Sequence, residues 1–567
     1  MQKAARPRFA IGTSDFAKLR EGGFAYVDKT SLIQEVVDTG AEVLLFPRPR
    51  RFGKTLNLSM LRYFLEKSEE HRAPLFAGLI IESTGSARTH FQRYPVLFMT
   101  FKDVKALSWD QCFQAITGVL ADIYREHRYL LEGGTLAPHE AEAFTAILTG
   151  RATEVQCWRA LADLSRHLRA YHRERVVILI DEYDTPIHAG FACGYYDQAV
   201  TFFRNFLSGG LKDNPSLFKG VLTGILRVAK ESVFSGLNNL AVYSILRPEL
   251  SASFGFTEDE VAALAALLDE PHEPELLRGI GAWYNGYCFG GRVIYNPWSV
   301  LSFLDSADHQ LRPYWVSTGS SEIVRELIFS GPEGLQAEME ILLGGGDVDK
   351  RVEESIALRD VARSPDAVWS FLLFSGYLTA TDVRSVEGEV RARLRVPNKE
   401  VAGELAGMVK AWLHQQVGGS AEVERMLEAL LRGDARTVER YLSRMVKASL
   451  SYHDTGGDTP ERVYHGFIVG LLVSLGPRYE VRSNRESGFG RYDVMVLPRA
   501  AGEPGVVLEL KTIDVEEGET KEAALADALR QIRERDYATE LRERGAHPIH
   551  ELAAVFDGKR AWVRAAT

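Results

Sequence analysis

Strand-sized apolar runs recur along the first half of the chain, at 42–46, 96–101, 176–180 and 220–222, and the stretches between them carry apolar residues at helical spacing. This alternation predicts a parallel sheet covered by helices, because parallel neighbours need a crossover long enough to hold a helix. The run at 176–180 is apolar at every position, as a strand buried on both faces requires. From 255 to 330 the pattern turns helical, opening with Thr257 and Glu260 at capping-box spacing ahead of Val261, Leu264 and Leu268. A helix at 367–374, a turn at Gly376, alternating strands through Leu394, then Pro397 and a second helix give the order of a winged-helix module. An amphipathic helical stretch at 420–450 follows, then strand-rich sequence, with the Gly, Asp, Thr and Pro cluster at 454–460 as the expected linker. The pattern therefore predicts units at 1–254, 255–365, 366–455 and 456–567, consistent with a chain too long for one core.

Composition narrows the class. The chain is 46% apolar and 25% charged, ordinary for globular protein. No apolar run approaches the roughly 20 residues of a membrane helix. The basic segment 1–9 leads into polar sequence rather than a signal core, so a cytoplasmic location without a membrane partner is expected. Four scattered cysteines, Cys112, Cys157, Cys193 and Cys288, form no CxxC pair, which argues against a disulfide framework or a zinc knuckle. With a net charge of −10, any nucleic-acid contact must come from local basic patches.

Candidate chemistry concentrates at two places. The strand at 42–46 runs into Arg48, Arg50, Arg51, Phe52, Gly53, Lys54 and Thr55 and then a helix, the order a P-loop requires. Loop N–H groups would cradle ATP or GTP phosphates, Lys54 would reach the β and γ phosphates, and Thr55 would hold Mg²⁺. Arg48 stands where the usual pattern has its first glycine. The strand at 176–180 ends in Asp181 and Glu182, which reads as a Walker B element: Asp181 for Mg²⁺, Glu182 to polarise the attacking water. Thr223, at the end of a third strand, stands where a γ-phosphate sensor would sit. Arg48, Arg50 and Arg51 read either as arginine fingers or as partners of the acids at 181–184.

The second place is near the C-terminus. Residues 479–497 read as two strands joined by a glycine-containing turn, and 506–511 as the next strand. Alternation puts Glu509 and Lys511 on one face of that strand, with Leu508 and Leu510 on the other. Asp493 on the neighbouring strand and Glu509 would bind Mg²⁺, while Lys511 would orient water or stabilise the phosphorane. From Glu509 and Lys511 alone, an exposed sheet-edge salt bridge is the alternative. Arg482, Arg485 and Arg491 are basic candidates for a phosphodiester backbone.

Six motifs then carry a family resemblance: Tyr26, Asp28, Lys29 and Thr30; Arg48 to Thr55; Asp181, Glu182 and Asp184; Ser235, Asn238 and Asn239; Trp283, Asn285 and Tyr287; Tyr295, Asn296 and Pro297. In this order they resemble the AAA-ATPase-like family of bacterial proteins that end in a PD-(D/E)XK nuclease-like domain. The resemblance implies a P-loop NTPase parallel sheet with a helical and winged-helix-like middle, followed by an α/β PD-(D/E)XK domain. It implies ATP and Mg²⁺ as cofactors, and nucleic acid, DNA or RNA, as partner. Gln531 and Tyr537 resemble the Q…Y pair that some superfamily members place beside the metal, at a wider spacing here. The acidic ligand many nucleases draw from an early helix has only Glu461 to match it, with His465 near the expected place. Two functions follow: a nucleotide-gated nuclease, or a nucleotide switch with a degraded nuclease fold that assembles as a homo-oligomer.

Overall fold

The computed structural model describes residues 8–566 except 135, 227–232, 235–236, 269–273, 316–323, 326, 328–334, 357, 362–363, 418–419, 450–467, 469–471, 473–474, 476–477, 488–489, 514–518 and 558–559. The chain divides into two compact units, Met1–Ile323 with Asp347–Ala402, and Val324–Gly346 with Gly403–Thr567. The segment expected as one winged-helix and helical piece, 366–455, is thus shared between them.

The first unit is built on five parallel strands: β1 (Val43–Pro47), β2 (Val96–Thr100), β3 (Val176–Asp181), β4 (Leu217–Gly224) and β5 (Leu240–Val242), in the order β2-β3-β4-β1-β5. Every residue of β1 and β3 is buried, which is why their sequences lack polar alternation. With β4 between β1 and β3, Pro47 lies opposite Gly224 and Ile180 opposite Leu222. The carboxyl ends of three strands therefore meet, the place where open α/β sheets bind ligands.

The stretch after 255 is not wholly helical. The capping box of Thr257 and Glu260 starts helix Glu258–Ala265, and helices Pro274–Tyr284 and Pro297–Asp305 follow. Between the last two lies a hairpin, β6 (Tyr287–Phe289) and β7 (Arg292–Ile294). Its two-residue turn, Gly290 and Gly291, has φ of 54° and 83°, the left-handed pair that matches strand twist. Three further strands, β8 (Val348–Arg351), β9 (Thr379–Val386) and β10 (Glu389–Arg395), form an antiparallel sheet ordered β8-β10-β9. Helix Pro365–Ser375 precedes β9 and helix Lys399–Val417 follows β10, the helix, strand, strand, helix order expected from the sequence.

The second unit holds a mixed sheet of β11 (Tyr479–Ser487), β12 (Gly490–Pro498), β13 (Gly505–Thr512), β14 (Ile549–Asp557) and β15 (Arg560–Ala565), in sequence order. Only β13 and β14 run parallel, and helix Lys521–Glu534 connects them. One sheet face buries Val506, Leu508, Leu510, Leu552 and Ala554 together with Val423, Leu430, Tyr441 and Leu442 from helices Ser420–Leu431 and Ala435–Ser449. On the other, Ala524, Leu525 and Ala528 of helix Lys521–Glu534 pack on Ala553 and Val555. Coverage of both faces is what buries Glu509 within the central strand.

Candidate functional site

In the first unit, the chain leaves β1 at Pro47 and enters helix Lys54–Leu65 through a loop with positive φ at Arg51 (66°) and Gly53 (80°). Left-handed residues at the helix entrance turn backbone N–H groups toward one point, where the helix dipole also favours an anion. Lys54 is 5% exposed, and its Nζ donates to the carbonyl oxygens of Arg48 (3.1 Å) and Pro49 (3.0 Å). Burial lowers its pKa, while the charges of Glu182, Asp181 and Asp184 work against that shift. Asp181, fully buried at the end of β3, accepts hydrogen bonds from Thr55 Oγ1 (2.7 Å), Thr100 Oγ1 (3.4 Å) and Thr223 Oγ1 (2.6 Å). Glu182 follows in the left-handed region (φ 49°) and accepts a bond from Thr185 Oγ1 at 3.1 Å.

In the second unit, Asp493 on β12 accepts the N–H of Leu510 through Oδ2 at 2.8 Å, which ties it across the antiparallel pair to β13. Glu509 is 3% exposed and accepts a hydrogen bond from Gln531 Nε2, which also donates to Tyr537 Oη at 3.2 Å. Lys511 is ion-paired with Asp527, which also pairs with Arg530. The ammonium of Lys511 and the guanidinium of Arg530 hold the Asp527 carboxyl below its usual range. Asp527 and Gln531 stand one turn apart on the helix and meet Lys511 and Glu509, two apart on β13. The wider Gln531 to Tyr537 spacing still closes because Tyr537 lies beyond the helix end, buried against Tyr492 at 6.2 Å between ring centres.

Residues 10–234 match the sequence model of the predicted AAA-ATPase family, and residues 459–566 that of the PD-(D/E)XK nuclease superfamily. The chain joins an AAA-ATPase-like domain to a PD-(D/E)XK superfamily domain. It is also similar to an Azotobacter chroococcum mcd 1 protein described as an uncharacterized protein in the vnfD 5' region, 29% identical over 97% of each chain. A solved structure, the Walker-type ATPase PABY2304 of Pyrococcus abyssi, is 12% identical with a TM-score of 0.34, covering 71% of this chain and 99% of that one.

The AAA-ATPase-like domain suits a Mg²⁺-nucleotide by its donor set: an anion cradle at a helix N-terminus, a buried lysine, and Thr55 already hydrogen-bonded to Asp181. In the PD-(D/E)XK domain, Asp493 and Glu509 offer hard oxygen ligands, and Mg²⁺ commonly takes one or two carboxylates plus waters and substrate oxygens. Among the described residues no cluster of three His, Cys, Asp or Glu side chains is placed to hold a metal. Glu461 and His465 lie outside the described residues.

Arg48 turns its side chain into the fold rather than into the loop. Its side chain is wholly buried, NH1 donating to the carbonyl oxygens of Pro47 (2.9 Å) and Tyr243 (2.5 Å), with Phe254 and Phe289 rings 5.0 and 5.5 Å from the guanidinium. Its backbone N–H is spent on Gly224 O at 3.0 Å. Phe52, 1% exposed, packs against Tyr287 and Phe289, so its side chain serves the core beneath the loop rather than the nucleotide. Arg51 donates to Tyr314 O at 2.8 Å and lies 4.2 Å over Trp298.

These contacts expose residues the sequence reading missed. Buried Glu400 accepts the N–H groups of Tyr314 and Trp315, both at 2.5 Å, and the Ser299 hydroxyl at 2.8 Å. It fixes the segment that receives Arg51. Gly376, with φ 91°, leaves room for Pro49, whose Cβ would stand 2.9 Å from an added Cβ. No local signal could have linked residues 376 and 400 to the loop at 48–55. Asp527 had one: it lies one helical turn from Gln531.

Several other motif residues have structural roles. Asn296 caps helix Pro297–Asp305 by accepting from Trp298 and Ser299 N–H. Lys29 pairs with Glu260 at 2.6 Å. Arg482, read as a backbone contact, is paired with Glu480 and Glu540, and the side chains of Arg485 and Arg491 lie outside the described residues. No described helix is long and apolar enough to cross a membrane.

Proposed function

We propose that this chain binds and hydrolyses ATP with Mg²⁺ in its AAA-ATPase-like domain and cleaves a DNA or RNA phosphodiester in its PD-(D/E)XK domain, with nucleotide state gating the cleavage. The placement of Asp493 on β12 against the β13 backbone, with Glu509 bonded to Gln531 and Lys511 to Asp527, carries the reading, because these groups would have separate jobs in phosphodiester hydrolysis. Asp493 and Glu509 would hold a divalent ion, which supplies Lewis-acid activation of a scissile phosphate. Gln531 fixes the orientation of Glu509, as partners of metal-binding carboxylates do. Lys511, held by Asp527, places a positive charge where the pentavalent phosphate gains negative charge. In the first domain, Lys54 and the loop N–H groups would bind phosphates, Thr55 and Asp181 the Mg²⁺, and Glu182 would orient the attacking water.

The test is cleavage of single- and double-stranded DNA and RNA by the full chain with Mg²⁺ or Mn²⁺, with and without ATP. Cleavage that disappears in Asp493→Ala and Lys511→Ala supports the reading; variants that cut like wild type overturn it. The second reading, a nucleotide switch on a degraded nuclease fold, is favoured by the lack of a third metal-ligating carboxylate among the described residues. It predicts nucleotide-dependent self-association without cleavage.

A further inference from the structure

Two residues next to the Walker B acids, Tyr183 and Asp184, have no assigned role in nucleotide chemistry, yet both are buried and hydrogen-bonded to the end of β4. Asp184 is 1% exposed, and its Oδ2 accepts the N–H groups of Ile225 (2.8 Å) and Leu226 (3.0 Å), with His188 Nε2 at 3.3 Å. Tyr183 is fully buried; its hydroxyl donates to Leu226 O at 2.5 Å and its N–H to Thr223 O at 3.2 Å. These bonds tie the end of β4 to the turn after β3. Gly224 closes the fit: an added Cβ would stand 2.7 Å from the Tyr183 ring and 2.8 Å from Asp184 Oδ1. On its other side, Gly224 O accepts the Arg48 N–H that opens the phosphate loop.

A buried carboxylate costs several kcal/mol unless it is paired and hydrogen-bonded. Burial pushes the Asp184 carboxyl up, but His188 and the two N–H groups outweigh it and hold it below its ordinary value. What the anion holds is the strand end that carries Thr223, whose hydroxyl lies 2.6 Å from the Asp181 carboxylate.

We infer that Tyr183 and Asp184 are positioning residues for nucleotide hydrolysis: they clamp residues 223–226 so that Thr223 stays registered against Asp181 and the bound γ-phosphate. The inference rests on the reading of 10–234 as a nucleotide hydrolase. Neither residue binds nucleotide itself, so the clamp acts on turnover more than on affinity.

The experiment uses the full chain and the variants Tyr183→Phe, Asp184→Asn and Asp184→Ala. It measures kcat for ATP, Kd for a non-hydrolysable ATP analogue, and thermal unfolding. Asp184→Asn keeps a carbonyl oxygen for both N–H groups; Asp184→Ala keeps nothing. Asp184→Ala should lower kcat about 10- to 100-fold with Kd changed less than about twofold, and Asp184→Asn should recover most of the loss. Tyr183→Phe, which removes one hydroxyl, should lower kcat about threefold or more and carries the test if Asp184→Ala does not fold. Variants with wild-type kcat overturn the inference, as do kcat and Kd that weaken together without rescue by asparagine. A wild-type chain that fails to bind and hydrolyse ATP overturns the underlying reading instead.

Discussion

Arg48→Met separates a buried structural cation from an arginine finger. The substitution removes charged hydrogen bonds to Pro47 O (2.9 Å) and Tyr243 O (2.5 Å) and the stacking on Phe254 and Phe289. Hydrogen bonds from a charged group contribute about 1.5–3 kcal/mol each, and a desolvated cation–π contact about 2 kcal/mol. Against this stands the relief of burying a guanidinium, since burial already lowers the Arg48 pKa, and the good packing of a methionine stem. The balance is a loss of about 3 kcal/mol. For a compact unit of this size, Met1–Ile323 with Asp347–Ala402, that lowers Tm by about 4 °C. Thermal unfolding of the full chain, following the transition that an ATP analogue shifts upward, reads it directly. A Tm within about 1 °C of wild type together with lost ATP turnover would refute the structural assignment and restore Arg48 to the phosphates.

Gly376→Ala sets a Cβ 2.9 Å from Pro49 at φ 91° and should destabilise the first unit by about 1–3 kcal/mol, with denaturant unfolding as the check. Burial raises the Glu400 carboxyl despite its bonds from Trp315 N–H, the Ser299 hydroxyl and Tyr314 N–H. Its contribution to stability is therefore complete below the unfolded-state pKa and is lost as pH rises through the folded-state value. The penalty of Glu400→Gln should shrink as urea unfolding is repeated from about pH 4 to about pH 7, and a penalty constant with pH refutes this. Gln531→Ala removes one hydrogen bond to buried Glu509 and should lower metal-dependent cleavage about 10-fold or more, assayed well below the unfolding transition, at a stability cost of about 1–3 kcal/mol; wild-type cleavage argues against the positioning role.

The strand, loop and helix around Lys54 and the apolar strand before Asp181 were legible because each is a local pattern: full burial forces an apolar run, and the turn to a helix forces Gly53. Likewise, two-residue alternation alone put Glu509 and Lys511 on one face of β13, where both meet the same helix. The hairpin of β6 and β7 was missed, although Gly290 and Gly291 mark its turn, because three-residue strands carry too little periodicity to compete with the surrounding helical pattern. β5 hides for the same reason. Arg48 was misread because sequence gives its distance along the loop but not the direction of its side chain. The packing of Glu400 and Gly376 against the phosphate loop is a long-range contact with no trace in local spacing.

The most direct measurement is a Mn²⁺ titration, followed by electron paramagnetic resonance, of the nucleotide-free chain carrying Asp181→Asn, which removes the Walker B carboxylate at the end of β3. One bound ion per chain should be found, and it should vanish when Asp493→Asn and Glu509→Gln are added. No bound ion at the outset, or binding that survives both changes, would contradict a metal-dependent phosphodiester site at the junction of β12 and β13.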